Sequence, residues 1–267
     1  MRFAIMSDVH ACPSGVARAF EDAKQHKAEA FICLGDYVGY GPDPEGAIKL
    51  SHRIFGNQTV MGNHDAALVR ELTEDSFSGR ARKSIDRQRG LISEAACKWL
   101  VSRRSLVFEE PLLGLHGDIR MEDGRLVPGF GYVFRPEDAD RVFAAVSRIP
   151  VRVICVGHTH EPAIWRSQTG GPAELLDTDR VEVGPMERYL VNVGSVGCPR
   201  SVPYASYAIV EMASDSHRIV IELHKLDFDY QAYRDALLAA QADIPIWLED
   251  AVQKMSAASR TKLGFQN

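Results

Sequence analysis

The chain has 267 residues, of which 45% are hydrophobic and 25% are charged, and its formal net charge at pH 7 is −5. These proportions are typical of a globular protein that can bury a sizeable core, and the acidic balance argues against extended duplex DNA as a partner. No apolar stretch approaches the roughly 18 residues that a membrane helix needs. The five cysteines form no Cys-x-x-Cys pair, which favours reduced thiols and a cytoplasmic location.

The first half of the chain alternates strand-like and helix-like segments. Apolar runs and apolar residues at helical spacing predict, in order, a strand over 3–6, a helix over 14–25, a strand over 31–34, a helix over 44–53 and a strand over 59–61. This alternation predicts βαβ units on a parallel or mixed sheet. Residues 66 to about 105 are expected to be mainly helical, with Ser93 capping a helix that begins at Glu94. We interpret the Arg- and Lys-rich run 80–83 as a solvated helical face.

The second half is predicted to be richer in strands. The expected segments are a strand over 112–115, a glycine-punctuated loop over 120–134, a helix over 136–147, strands over 151–156 and 163–168, a surface loop or hairpin over 170–184, strands over 189–193, 204–212 and 218–226, and helices over 229–240 and 246–255. No repeat or linker interrupts the chain. We therefore expect one domain over residues 1–267.

Five short polar clusters each follow a predicted strand. They are Asp8-Val9-His10, Gly35-Asp36, Gly62-Asn63-His64-Asp65, His116-Gly117 and Gly157-His158-Thr159-His160. In α/β sheets, ligands bind outside the carboxyl ends of the strands, where loops aim side chains into one crevice. Carboxylates, an amide and imidazoles without a thiolate suit two divalent metal ions held side by side, and such pairs commonly act on phosphate esters.

The spacing inside the clusters adds detail. An extended chain would place Asp8 and His10 on one side of the backbone, and His158 and His160 likewise. Asp36 lies alone in the middle of the set, so it is the natural candidate to bridge two cations. Asn63 offers a neutral oxygen, which limits the negative charge around the pair.

The ordered series Asp-x-His, Gly-Asp, Gly-Asn-His-Asp, His-Gly and Gly-His-x-His resembles the calcineurin-like metallophosphoesterase superfamily. The motifs cover residues 3–160, and the run 192–197 resembles the strand and turn that follow in small bacterial, phosphodiesterase-like members. The resemblance implies an α/β (α+β) fold in four layers, with two mixed β-sheets packed together and helices outside. It also implies two divalent metal ions, and it leaves open whether they are manganese, iron, zinc or magnesium.

The resemblance further implies a role for each motif residue. One metal would be bound by Asp8, His10, Asp36 and His160, and the other by Asp36, Asn63, His116 and His158. His64 would face the scissile phosphate without binding a metal, with Asp65 beside it as an orienting carboxylate. The implied reaction is hydrolysis of a phosphoester by a metal-activated water, and His64 would protonate the leaving oxygen.

Two departures from known groups bear on the substrate. Protein phosphatases of the superfamily carry an Arg shortly after the Gly-Asp motif and end the third motif in Glu, whereas here Tyr37-Val38-Gly39-Tyr40 follows Asp36 and the third motif ends in Asp65. We therefore favour a small phosphodiester or a nucleotide as substrate. The alternatives are a phosphatase of dinucleoside polyphosphates or of phosphomonoesters, including proteins, and a non-catalytic metal-binding regulatory module.

Further candidates lie around the motifs. Arg200 follows a Gly-Ser turn and is either a ligand of a substrate phosphate or an ordinary surface residue. Tyr37, Tyr40 and Tyr132 either line the pocket or pack in the core and loops. A nucleic-acid partner is disfavoured because no aromatic and basic groove is evident. The expected partner is a small phosphorylated substrate, without a membrane, and the sequence does not predict the oligomeric state.

Overall fold

The computed structural model describes residues 1–70, 72, 77–168, 170–213 and 218–262, with side chains up to residue 254. The strands are β1 (Arg2–Met6), β2 (Ala30–Cys33), β3 (Leu106–Glu109), β4 (Leu112–Leu115), β5 (Ile119–Glu122), β6 (Arg125–Pro128), β7 (Val153–Val156), β8 (Ala163–Gln168), β9 (Glu174–Leu176), β10 (Arg180–Glu182), β11 (Glu187–Asn192), β12 (Tyr204–Met212) and β13 (Ile219–Asp227). The helices are α1 (Pro13–Gln25), α2 (Pro44–Phe55), α3 (Asn63–Leu68), α4 (Gly79–Arg89), α5 (Glu94–Val101), α6 (Pro136–Ala145), α7 (Tyr230–Ala239) and α8 (Ile246–Lys262).

Two large mixed sheets organise the described part of the chain. One has five strands in the order β10-β13-β12-β1-β2, and the other has six in the order β3-β4-β7-β11-β8-β9. In the first, β1 and β2 are parallel and β12 is antiparallel to β1. In the second, β7 is parallel to both β4 and β11, while β8 is antiparallel to β11. This arrangement confirms the predicted mixed α/β fold.

The alternation of side chains along the strands explains the layers. On β1, Phe3 and Ile5 pack into a core between the two sheets, whereas Ala4 and Met6 pack into a second core under α1, α2 and α5. Leu113 and its neighbours on the six-stranded sheet form a third core with α6. The order is therefore helices, sheet, sheet and helix, as the four-layer prediction requires.

Most predicted elements are present, and several match closely. The strands over 163–168 and 204–212 have the predicted bounds. Ser93 caps α5, since its hydroxyl accepts a hydrogen bond from the Ala96 amide. The helical prediction over 66–105 corresponds to the end of α3, to α4 and to α5, although residues 71 and 73–76 lie outside the described part.

Other predictions were wrong in detail. The segment over 120–134 was expected to be a loop, but β5 and β6 form a two-stranded hairpin around Asp123 and Gly124. Segment 59–61 contributes only isolated bridges at Thr59 and Val60. The loop over 170–184 is not a hairpin, because β9 pairs with β8 whereas β10 pairs with β13 in the other sheet.

No described helix has both the length and the apolar character needed to span a bilayer.

Candidate active site

The candidate site lies where strands of both sheets end. Asp8 and Asp36 follow β1 and β2 of the five-stranded sheet, while His116 and His158 follow β4 and β7 of the six-stranded sheet. Asn63 begins α3. Three buried clusters result, in each of which one ligand atom per residue lies within 4.8 Å of the others: Asp8, His10 and His160; His10, Asp36 and His64; and Asp36, His116 and His158.

The first half of the site contains two imidazoles that face each other. Their Nε2 atoms, on His10 and His160, are 3.0 Å apart. The Nδ1 of His10 lies 2.9 Å from the Val38 carbonyl oxygen and that of His160 lies 2.6 Å from the Cys198 carbonyl oxygen, so each Nδ1 donates its proton there. A neutral ring that donates at Nδ1 presents a lone pair at Nε2, and two lone pairs at this distance repel.

Asp8 adds a third acceptor to this pair. Its Oδ1 lies 3.2 Å from Nε2 of His160 and 3.6 Å from Nε2 of His10, and it has no hydrogen-bond partner among the described residues. Its other oxygen accepts a hydrogen bond from the His158 amide. Ligand atoms about 2.1 Å from one metal ion lie about 3.0 to 3.4 Å apart at octahedral or tetrahedral angles, so a cation fits this acceptor set.

Asp36 joins the two halves of the site. Its Oδ1 accepts a hydrogen bond from the His64 amide, while its buried Oδ2 has no hydrogen-bond partner in the described part. That Oδ2 lies 3.6 Å from Nε2 of His10 and 3.4 Å from Nε2 of His116. The carboxylate therefore stands between the two halves, as a bridging ligand would.

His116, Asn63 and His158 complete the second half. The Nδ1 of His116 donates to the Leu34 carbonyl, and its Nε2 lies 3.1 Å from the Asn63 side-chain oxygen. The His158 ring centre is 4.9 Å from that of His116. As in the first half, backbone carbonyls fix the orientation of a ring whose free nitrogen points at oxygen ligands.

The electrostatics of the site follow from burial and from the mixture of carboxylates and imidazoles. Burial acts to raise the pKa of Asp8 and Asp36, but the surrounding histidines hold both pKa values below their ordinary range. Burial lowers the pKa of His160, and burial together with His116 lowers that of His158 to about 3. His116 differs, because burial acts to lower its pKa but Asp36, Asp8 and the Leu34 carbonyl together raise it to about 9. Neutral imidazoles and ionised carboxylates are the forms that bind metals.

The backbone at these positions is not extended, contrary to the sequence argument. Five site residues have positive φ angles of 44° to 69°: Asp8, His10, Asp36, His158 and His160. The side chains of Asp8 and His10 do reach one cluster, through tight turns rather than an extended chain. Those of His158 and His160 do not, because His160 joins Asp8 and His10 whereas His158 joins Asp36 and His116. Left-handed backbone is uncommon outside glycine, although Asp and His tolerate it better than most residues.

His64 lies against the first half of the site. Its ring centre is 4.9 Å from that of His10 and 4.8 Å from that of Tyr40, and burial lowers its pKa. Its buried Nδ1 has no hydrogen-bond partner in the described part of the chain. Gly39 approaches this ring so closely that a Cβ there would lie 2.2 Å from Nδ1.

Asp65 does not orient His64 through a hydrogen bond. Its two oxygens accept hydrogen bonds from the amides of Asp36, Tyr37, Val38 and Gly62, at 2.8 to 3.3 Å. Burial and the charge of Asp36 raise the pKa of Asp65 to about 8, while the amides act to lower it. The carboxylate thus fixes the turn that carries Asp36, a function its place in the motif does not reveal.

The candidate residues around the motifs separate into two groups. Tyr37 is fully buried and donates to the Cys33 carbonyl, so it belongs to the core. Tyr40 and Tyr132 lie at the site, with the Tyr132 ring stacked on His158 at 4.0 Å between centres. Arg200 lies 3.3 Å from the Tyr40 hydroxyl, beside the segment that orients His160.

Two contributing residues were missed from the sequence. The Asn192 amide group donates to the Gly157 carbonyl and the Thr159 hydroxyl, which holds the turn carrying His158 and His160. Arg80 lies over Tyr40. The signal for Asn192 was its position at the end of β11, like the other site residues, and the signal for Arg80 was the basic run that we interpreted as a solvated face.

Comparison with known proteins identifies the family. Residues 1–215 match the calcineurin-like phosphoesterase superfamily domain. The chain belongs to this superfamily, whose members typically bind divalent metals, and membership implies a phosphoester hydrolase.

Two relatives span nearly the whole chain. The crystal structure of a metallophosphoesterase from Sphaerobacter thermophilus is similar, with 27% identity, a TM-score of 0.75 and coverage of 94% of this chain and 98% of that one. Uncharacterized protein MJ0912 of Methanocaldococcus jannaschii is 28% identical over 246 residues, which cover 92% of this chain and 94% of that protein.

Proposed function

We propose that this protein is a dinuclear metal-dependent phosphoesterase that hydrolyses a small phosphodiester or a nucleotide. The observation that carries the proposal is the acceptor set of the site. The facing Nε2 atoms of His10 and His160 and the unpartnered oxygens of Asp8 and Asp36 are buried together. Such a set is stable when a cation is bound, and the residues present therefore fit the metals that the family binds.

Each metal would have four protein ligands. Asp8, His10, Asp36 and His160 would hold one, and Asp36, Asn63, His116 and His158 the other. Bound divalent ions supply Lewis acidity and lower the pKa of a coordinated water. Imidazole suits zinc, iron and manganese, whereas carboxylate and amide oxygens suit manganese and magnesium, so the donor set leaves the metal open among these four.

The chain's own residues would position the substrate. The ring of His64 lies against that of His10, and within the described residues its Nδ1 has no hydrogen-bond partner. Burial favours its neutral form, which can donate a hydrogen bond to a phosphoryl oxygen, while the negative charge of a bound phosphate would raise its pKa and let it donate a proton to the leaving oxygen. Asp65 would act through the turn that it fixes. Arg200 would contribute positive charge at the edge of the site.

Exposed aromatic rings support a small organic substrate. Tyr132 stacks on His158, and Phe134 stacks on Tyr132, while the two side chains are 50% and 48% exposed. Exposed aromatic faces beside a phosphate site favour stacking with a planar leaving group such as a nucleoside. This feature favours a nucleotide or an aryl ester over a phosphoprotein.

The decisive experiment is a hydrolysis assay with manganese added. We expect turnover of bis(p-nitrophenyl) phosphate, abolished by a chelator and restored by metal. A preference for p-nitrophenyl phosphate would instead support the phosphomonoesterase alternative. No turnover of either ester or of a nucleotide panel, at full metal occupancy, would overturn the proposal in favour of a non-catalytic regulatory module.

We also infer that residues 1–267 form one domain, because β1 contributes side chains to both the core between the sheets and the core under the helices. A cytoplasmic location stays a prediction, which the five free cysteines support.

A further inference from the structure

Two arginines from distant parts of the chain meet at Tyr40. The guanidinium carbon of Arg80, in α4, lies 5.5 Å from the centre of the Tyr40 ring, and that of Arg200, in the loop after β11, lies 5.6 Å from it. Arg200 also donates a hydrogen bond to the Tyr40 hydroxyl. Within the described residues, neither arginine forms an ion pair with a carboxylate. Both guanidinium groups lie against one ring without a carboxylate partner among the described residues, so an anion that contacted both would offset their charge.

A small cavity borders Tyr40 and Arg80, and Arg200 is not among the residues that line it. It has a volume of about 150 Å³ and is lined by Tyr40, Arg80, Lys83, Arg87 and Asp243 together with three neighbours. Arg87 is already engaged, since it donates to the carbonyls of Gly41 and Ala240, and Asp243 offsets its charge. No described carboxylate forms an ion pair with Arg80 or Lys83, so the cavity favours an anionic group.

One aromatic ring separates this basic cluster from the candidate metal ligands. The Tyr40 ring lies 4.8 Å from the His10 ring and 4.8 Å from the His64 ring, measured between centres. The charge of Asp8 acts to raise the pKa of Arg200. A ligand whose scissile phosphate occupied the metal site would extend past Tyr40 towards the arginines through its further phosphate groups.

We propose that Arg80 and Arg200 bind a second phosphate group of the substrate, so that the enzyme acts on compounds with two or more linked phosphates, such as a nucleoside diphosphate or polyphosphate. This inference rests on the proposed phosphoesterase function and narrows its substrate class. Guanidinium groups suit the task because they make paired, charge-assisted hydrogen bonds to phosphate oxygens. This chain lacks the Arg that protein phosphatases carry after the Gly-Asp motif. Positive charge near the site comes instead from Arg80 and Arg200, which lie on two other parts of the chain.

The test compares two ligands that differ by one phosphate. Isothermal titration of the manganese-loaded protein with AMP and with α,β-methylene-ADP measures the preference for the second phosphate without turnover. We expect the wild type to bind the diphosphate analogue at least about tenfold more tightly than AMP, as hydrogen bonds between charged groups allow. Arg80→Ala and Arg200→Ala should each reduce this preference at least about threefold, and the double variant should bring it close to one.

Two controls make the comparison specific. Arg53→Ala removes an equal charge from an exposed position on α2 and should keep the full preference. Arg200→Lys keeps the charge but loses the paired geometry, so it should retain part of the preference. Melting curves of each variant verify the fold.

Three results would overturn the inference: equal binding of both ligands by the wild type, a full preference in the double variant, or an equal loss of AMP and analogue binding, which would place the arginines on the scissile phosphate. The outcomes for the two proposals can be told apart. A phosphate preference without hydrolysis of any ester would contradict the proposed function alone, whereas hydrolysis without the preference would contradict this inference alone.

Discussion

Asp36 lies between the two halves of the site, and His64 is the residue proposed to contact the substrate. We predict that Asp36→Asn loses both metals and nearly all activity, because the bridging oxygen loses its charge. His64→Ala should keep the metals and lower kcat by about 10²- to 10⁴-fold, the usual contribution of a positioned acid. Metal analysis of the purified variants, alongside kcat, separates the two effects.

The control for Asp36→Asn is Asp227→Asn, which removes the same charge from an exposed position and should change neither quantity. Equal metal loss in Asp36→Asn and His64→Ala would refute the division of roles between them.

Asp65 is predicted to matter for stability as well as for rate. Asp65→Ala leaves four buried amides without their acceptor, and each such amide costs about 1 to 3 kcal/mol. We expect a loss of at least about 3 kcal/mol in the free energy of unfolding, measured by urea denaturation. Asp43→Ala, which removes a single helix cap from α2, should cost about 1 kcal/mol. A similar loss of unfolding free energy in the two variants would contradict this prediction, because it would show that water replaces Asp65 as the acceptor for these amides.

The sequence was sufficient to choose the candidate ligands, because the ability to bind a metal depends on the type of side chain. It was insufficient for Asp65, since the partners of that carboxylate are backbone amides, which every residue has. The carbonyls that orient His10, His116 and His160 are invisible to side-chain reasoning for the same reason. The left-handed turns at Asp8 and His158 also escaped, because neither residue type requires that conformation.

At the scale of elements, the turn after β2 is the part that sets His64 in place. Gly39→Ala would put a Cβ 2.2 Å from Nδ1 of His64, at a residue whose φ is +89°. We expect a displaced ring and a kcat lower by about tenfold or more, with the metals retained. Gly56→Ala is the matched control, because φ is also positive there but no atom lies within 4 Å of the new Cβ. It should cost about 1 to 3 kcal/mol of stability and leave kcat unchanged. An unchanged kcat in Gly39→Ala would contradict this role for the turn.

Long strands were predictable, whereas short ones were not. The nine-residue β12 is a nearly continuous buried run, which is long enough to define its own bounds. The three-residue strands β9 and β10 are too short to carry a pattern of their own and are defined by their partners, which are the preceding strand β8 and the distant strand β13. The β5-β6 hairpin is a different case. Asp123 and Gly124 both have positive φ, and an Asp-Gly pair between strands is a strong hairpin signal that the surrounding glycines obscured.

At the scale of the whole molecule, the proposed metals would connect the two sheets. Asp8 and Asp36 follow strands of one sheet, and His116, His158 and His160 follow two strands of the other. Metal binding to the folded state should therefore raise stability, by about 2.7 kcal/mol for each site at a free metal concentration one hundred times the Kd. A chelator should lower the melting temperature of the wild type and leave that of Asp36→Asn unchanged. An equal shift in both proteins would show that the metal stabilises the fold from elsewhere.

The five site residues with left-handed backbone conformation bear on how the sequence can change during evolution. Each of the five would be accommodated more easily by glycine, which has no Cβ to strain. Glycine, however, cannot ligate a metal. Stability and metal binding therefore favour different residues at these five positions. A sequence selected for thermal stability alone would be expected to lose these ligands.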